Sequence, residues 1–305
     1  MLTNILTVAE YVLILFVLIG IGVLCNKIKL ISGKTVKEMT NFVLYIVAPC
    51  VIINSYQREF DEKMLKGLLI TLAASAVSYA VTIFLAHLLI KEKQDKKREK
   101  TLRFGTVFSN CGYMSLPLQQ VLLGDVGVFY GTTYIMMFQI LLWTYGVVVM
   151  SGDVKNISFK KILTNPGLTS TIVGVVFFIF SITLPKVVIE PMKHLASLNT
   201  PVPMVIVGYH LANTNLKLKG FSPYIALLLR HIVSPVLMLF GLRAFGIGGT
   251  IVTACVICAA SPVAATTTMF SEKYEGDTEL SATMVSVSTL LAIITMPVLV
   301  GLALG

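Results

Sequence analysis

The chain has 305 residues, of which 56% are hydrophobic and only 13% charged. Soluble domains carry about 25% charged residues, so the composition excludes an ordinary soluble protein and points to one that crosses a bilayer several times. The net charge of +9 is spread over short loops, which reads as a membrane-topology signal rather than a nucleic-acid footprint.

A spanning helix needs about 20 mostly apolar residues. Ten stretches qualify: 6–25, 38–56, 67–90, 104–123, 126–150, 166–184, 194–216, 221–242, 247–270 and 280–304. The first lacks a basic lead and a cleavage site, so it reads as a retained helix rather than a signal peptide. The second is interrupted by Pro49. A strongly basic loop, Lys91 to Arg103, follows the third. The fourth and fifth are separated only by Gly124-Asp125. A polar loop, 151–165, then divides the chain into a first unit, 1–150, and a second, 166–305. The seventh stretch is interrupted by Pro201 and Pro203, the eighth contains Arg230-His231, and the ninth is broken at Pro262.

The halves repeat one plan. The second stretch of each carries an internal proline, the fourth a polar break with a proline, and a Gly-Asp turn precedes the fifth (Gly124-Asp125; Gly276-Asp277). Paired interruptions of this kind point to a repeat-built transporter and its binding site. Lysine and arginine follow the same division. Loops after stretches one, three, five, seven and nine carry 4, 7, 3, 2 and 1, against 3, 0, 2 and 1 after the even ones. Positive loops stay cytoplasmic, so both termini are expected outside. Five helices per half start the second half from the opposite side. The expected fold is an all-α membrane protein with ten transmembrane helices in a 5+5 inverted repeat.

The break at Ser109-Asn110-Cys111-Gly112-Tyr113-Met114-Ser115-Leu116-Pro117 lies in a charge-free run, as does Ala259-Ala260-Ser261-Pro262-Val263-Ala264-Ala265-Thr266. Proline lacks an N–H and clashes with the preceding turn. Backbone groups freed in hydrocarbon cost several kcal/mol each unless something satisfies them. Such breaks place half-helix N-termini near the midplane, where their partial positive charge and free N–H groups suit a carboxylate. The expected substrate is a small organic anion. Asn110 offers two donors and one acceptor, either to substrate or to the opposite break. Pro117 and Pro262 act by shape. Ser109, Tyr113, Ser261 and Thr266 either line the site or cap freed backbone. Arg230, a charge within a span, should face protein or water. It either attracts an anion or packs against a helix end.

No catalytic pair, metal-ligand spacing or phosphate loop stands out, so no enzyme is expected. No cofactor is expected, although Na⁺ could bind through carbonyl and hydroxyl oxygens at the breaks. Cys255-x-x-Cys258 has redox spacing but lies in an apolar run, where small residues serve helix contacts. The five cysteines all lie in or at apolar segments, which implies no disulfide framework.

Asn110-Cys-Gly-Tyr-Met-Ser-Leu-Pro117-Leu, Pro201-Val-Pro203-Met, and the run from Ala259-Ala-Ser-Pro262 through Lys273-Tyr274 and Asp277 to Ser288-Thr289-Leu290 together resemble the auxin efflux carrier family. That family includes plant PIN-type carriers and bacterial malate or malonate permease-like proteins. The resemblance covers essentially the whole chain. It implies a bile-acid-symporter-like fold in which helices four and nine cross at their breaks. It also implies a dimerising scaffold of helices 1, 2, 6 and 7, and a moving transport domain of helices 3–5 and 8–10. Asn54 and Ser55 would then face substrate from the scaffold, whereas the residues themselves read equally as an interfacial helix end before Arg58. The short loop 151–165 differs from the long insert of many plant carriers and fits a bacterial cytoplasmic membrane protein better. Ser261 departs from the apolar residue frequent before the family's proline. The expected function is elevator-type efflux or exchange of carboxylates such as malate, malonate or auxin-like acids. The expected partners are a small organic anion, the lipid bilayer and a second copy in a homodimer, with no nucleic acid. A ligand sensor of the same fold and a channel are the rival readings.

Overall fold

A computed structural model describes residues 2–92 and 94–305; Met1 and Lys93, the latter in the basic loop, lie outside the described residues. The described residues are helical apart from loops and one isolated β-bridge. In chain order the main helices are α1 (Leu2–Lys27), α2 (Gly33–Ser55), α3 (Glu62–Leu89), α4 (Lys96–Val107) and α5 (Cys111–Ser151). The second half contains α6 (Pro166–Ile179), α7 (Lys186–Ser197), α8 (Pro201–Ala212), α9 (Ser222–Ala244), α10 (Gly249–Ala260), α11 (Thr266–Lys273) and α12 (Thr278–Ala303). Six of them, α1, α2, α3, α5, α9 and α12, are long and apolar enough to cross a membrane; α6 and α10 are shorter but apolar.

Proline explains the local shape of three spanning helices. Pro49, Pro117 and Pro235 each sit two residues after a π-helical turn, at Val43–Val47, Cys111–Ser115 and Leu229–Val233. A proline ring clashes with the carbonyl four residues back and cannot bond to it. Widening the preceding turn moves that carbonyl aside and lets the helix continue. Pro49 therefore does not interrupt α2, contrary to the expectation from sequence. The seventh stretch does break, but ahead of its prolines. Its first residues, 194–197, are the end of α7, an amphipathic helix that starts ahead of the stretch and carries no buried residue, and α8 begins at Pro201.

The turns follow local chemistry. Gly124 adopts φ 62°, ψ −158°, and turns α5 sharply between the expected fourth and fifth segments. Only glycine reaches that region without strain. The Asp61, Asp95, Asn165 and Asp277 side chains accept hydrogen bonds from first-turn amides of α3, α4, α6 and α12. Each such cap is worth about 1 kcal/mol.

Two glycines set the seam between α1 and α8. A Cβ on Gly208 would overlap the Ile19 carbonyl oxygen, and one on Gly22 would overlap that of Val205. The backbones touch, which is how helices associate in lipid when no hydrophobic gain separates lipid from protein contact. α1 also packs along α12. The central layer is α4, α5, α10 and α12, and it encloses the most buried part of the chain, where α4 and α10 both stop short.

Candidate functional site

Helix α4 ends at Val107 and the chain continues extended through Phe108. Helix α10 ends at Ala260, and Ser261 is extended at φ −61°, ψ 145°. The two extended pieces pair antiparallel through Ser109 and Val263. The Asn110 N–H donates to the Pro262 carbonyl at 2.7 Å, and the Ala264 N–H donates to the Phe108 carbonyl at 3.0 Å. Each break thus satisfies backbone groups that the other exposes, as burial in an apolar layer requires. Pro262 has no N–H to strand, which suits it to this position. α5 and α11 then start from the bridge. Four helix ends meet here: the C-termini of α4 and α10, and the N-termini of α5 and α11.

The C-terminal ends are closed by Arg230, which is 1% exposed. Its Nη1 donates to the carbonyls of Val107 at 3.1 Å and Thr106 at 3.4 Å. Its Nη2 donates to the Ala259 carbonyl and, at 3.2 Å, to Ser234 Oγ. A guanidinium has five fixed donors, and these carbonyls sit at the negative ends of two helix dipoles. Both dipoles are offset by one charge from a third helix, α9. Arg230 is thereby placed on backbone, behind the crossing.

The N-terminal ends are open. Gly112 and Tyr113 in the first turn of α5 are half-buried, as are Ala265 and Thr266 around the start of α11. A Cβ on Gly112 would meet nothing within 4 Å, so a free space lies against the α5 N-terminus. First-turn N–H groups have no partner within their own helix. The Asn110 side chain makes no hydrogen bond among the described residues, although the residue is 6% exposed. The hydroxyls of Thr266 and Thr267 are buried without a partner, and that of Ser109 has only the Cys111 thiol beside it. Unpaired donors here are costly unless a ligand or water completes them.

Sequence-expected residues separate into groups. Ser109, Asn110, Pro262 and Thr266 are gathered at the crossing with Ser261, whose hydroxyl donates to the Ile257 carbonyl of its own helix at 2.9 Å. Pro117 stands behind the π turn that carries Tyr113. Tyr113 packs against a cluster formed by Val36, Val43 and Val47 of α2 and Ile206 of α8, with Tyr209 at its edge. Asn54 and Ser55 lie at the far end of α2 from that cluster. Ser55 Oγ donates to the Ile52 carbonyl at 2.7 Å, and Asn54 Oδ1 is buried without a donor.

Three residues near the crossing had no role assigned from sequence. Gln119 Nε2 donates to the Ala254 carbonyl at 3.2 Å and to Cys258 Sγ at 3.0 Å, tying α5 to α10. Cys258 therefore serves the helix contact. Ser288 of α12 accepts from the Val263 N–H at 2.7 Å. His231 Nε2 lies 2.6 Å from Ser288 Oγ. An imidazole inside an apolar span was visible in the sequence; a glutamine and a serine there carry no such signal.

Two cavities open at the ends of these helices, and the bridge residues line neither. One of about 520 Å³ lies beside Arg243, Gly249 and Ala303. The other, of about 430 Å³, is lined by Lys96, Lys97, Lys100 and Lys273. Lys100 Nζ donates there to the carbonyls of Met150 at 2.9 Å and Tyr274 at 2.6 Å, and its burial lowers its pKa. Among the described residues no three His, Cys, Asp or Glu side chains come together as metal ligands.

A family model described as "Membrane transport protein" matches residues 7–158 and 153–300. The chain is also 25% identical over 295 residues to the uncharacterized transporter MJ1031 of Methanocaldococcus jannaschii, an alignment that spans 92% of this chain and 94% of the relative.

Proposed function

The chain belongs to the membrane transport protein family, the auxin efflux carrier group that its motifs resemble, and on that premise we propose that it is a secondary transporter of small organic anions. It sits in the bilayer as a multi-pass protein. In this reading, ten membrane segments form two inverted five-helix repeats, 1–150 and 166–305. The short α7 and α8, and α10 with α11, serve as divided segments. Segments 1, 2, 6 and 7 form a scaffold that pairs with a second copy. Segments 3–5 and 8–10 form a bundle that carries the crossing across the membrane in an elevator motion.

The observation that carries the proposal is the polarity of the crossing. Two helix N-termini meet there with open faces, while the opposing C-termini are neutralised by Arg230. What remains is a net positive, donor-rich patch with no acidic side chain among its residues, and its complement is a carboxylate. Asn110 would orient the anion, with Tyr113, Ser109 and Thr266 around it and Ser261, Pro117 and Pro262 holding the shape. Arg230 would act through the carbonyls it caps, and Asn54 and Ser55 would meet the substrate from the scaffold at another stage of the motion. Malate, malonate and auxin-like carboxylates are the substrate class, moved by efflux or exchange.

The test is uptake of radiolabelled malate into proteoliposomes loaded with unlabelled malate, followed by malonate and indole acids. Saturable uptake that requires internal substrate is expected. Conduction that does not saturate would replace the carrier with a channel. Binding without flux would make the protein a sensor.

A further inference from the structure

The polar support of the second break goes one residue beyond Arg230. His231 is 2% exposed and sits in the π turn of α9. Its Nε2 lies 2.6 Å from Ser288 Oγ, and its Nδ1 lies 3.0 Å from Thr295 Oγ1. Ser288 Oγ also accepts from the Val263 N–H at 2.7 Å, and Thr295 Oγ1 donates to the Leu291 carbonyl at 3.2 Å. A backbone N–H only donates, so Ser288 must spend its single hydrogen elsewhere. Its other neighbour is His231 Nε2. That nitrogen then accepts and carries no hydrogen, so the imidazole hydrogen is on Nδ1 and points to Thr295 Oγ1. Thr295 in turn gives its own hydrogen to Leu291. Every hydrogen is used once. With the hydrogen on Nε2 instead, the Ser288 hydroxyl would be left with no acceptor in a site that is 0% exposed, which is the costly arrangement for a buried polar group.

We infer that His231 and Ser288 are positioning residues for the second break: a directed relay, Val263 N–H to Ser288 to His231 and from His231 to Thr295 and Leu291, fixes the strand that pairs with Ser109. Val263 precedes the first turn of α11 by three residues, so the relay sets where the Thr266 end aims. This deepens the proposed function and rests on the crossing being the anion site. The relay itself is present or absent whatever the substrate.

The experiment uses the full chain in lipid nanodiscs. Nitrogen NMR of the ¹⁵N-histidine-labelled protein, with His231 assigned by loss of its signals in His231→Gln, reads the tautomer. Hydrogen–deuterium exchange reads the peptides that cover 261–266. The wild type should show protonated Nδ1 and unprotonated Nε2 at His231, and slow exchange at the break. Ser288→Ala should speed exchange there about tenfold, the loss of one buried hydrogen bond, and leave α1 and α8 unchanged. His231→Leu should do the same. His231→Gln, whose Oε1 can accept from Ser288, should restore slow exchange, which a packing role would not. An Nε2-protonated tautomer, or equal exchange in wild type and Ser288→Ala, would overturn the inference. The wild-type spectrum decides the tautomer even if a variant fails to fold. Malate uptake by the same samples is scored separately, so failure of the transport reading does not pass for failure of the relay.

Discussion

Arg230 of α9 reaches back 123 positions along the chain to donate to the Val107 carbonyl at 3.1 Å. The same guanidinium holds Ala259 at the end of α10. One side chain thus joins both halves of the chain at the backbone groups that interrupted helices leave unpaired.

Arg230→Leu is expected to be severe. It strands the carbonyls at two helix ends in an apolar layer, and each buried acceptor left unsatisfied costs about 1–3 kcal/mol. Lower thermal stability in detergent and loss of uptake are the expected results. Arg230→Lys keeps the charge but offers fewer donors in a less fixed geometry, so it should fall between the two. A stable, active Arg230→Leu protein would show that the caps are dispensable.

Sodium is expected not to drive transport. Three of the carbonyl oxygens at the C-terminal ends, those of Thr106, Val107 and Ala259, are already held by Arg230, whose charge repels a second cation. Replacing sodium with choline on both sides of the proteoliposome should leave the initial uptake rate unchanged. A rate that rises with a sodium gradient would place a coupling site elsewhere.

Asn110→Ala tests the front of the crossing. The Asn110 backbone keeps its bond to Pro262 in that variant, so expression and assembly should survive. Loss of a hydrogen bond to a charged ligand costs about 1.5–3 kcal/mol, or roughly tenfold to a hundredfold in apparent affinity. Unchanged kinetics would remove Asn110 from the site.

Gly112 separates site from fold. A side chain there enters open space, so Gly112→Val should fold with only the modest cost of a branched residue in a helix while obstructing the α5 N-terminus. Folded protein without uptake is the expected outcome. Gly208→Val is the counterpart, because its side chain would meet the Ile19 carbonyl. That overpacking should cost about 1–3 kcal/mol or more, read as a lower unfolding temperature.

Pro262→Ala adds an N–H next to the bridge and removes the block to a continuous helix. Transport is expected to fall, by loss of the Ser109–Val263 pairing. Full uptake by the Pro262→Ala protein would show that the pairing alone keeps the break open.

Much of this was legible in the sequence because it is local. Charge-free runs, the two proline-marked breaks and the Gly124 turn announce themselves within a few residues. The α2 break did not materialise at Pro49, because a π turn absorbs the ring and a residue list does not show turn width. The partners of Arg230 and His231 were hidden for another reason. Val107 and Ser288 lie 123 and 57 positions away from them, and no periodicity carries such distances. The close α1–α8 seam depends on which face each glycine presents, a property of the packed pair rather than of either helix.

The first break is supported differently from the second. Phe108 is packed among Phe104, Phe138 and Tyr79, with ring centroids 4.5, 5.5 and 6.3 Å away. Its wall is aromatic, whereas the second break adds the Ser288 hydroxyl and the His231 imidazole to the guanidinium that both breaks share.

Arg230 also has an electrical consequence. In the proposed motion the guanidinium travels with the bundle, so its charge moves through the membrane field. One elementary charge crossing the whole field is worth about 2.3 kcal/mol per 100 mV. Loaded with a monoanion such as an auxin-like acid, rather than the dianion malate, the bundle is close to electrically silent at the crossing; empty, it is a cation. Voltage would then act chiefly on the return of the unloaded carrier, and a negative interior would hold that carrier facing the cytoplasm, where an exporter collects its cargo.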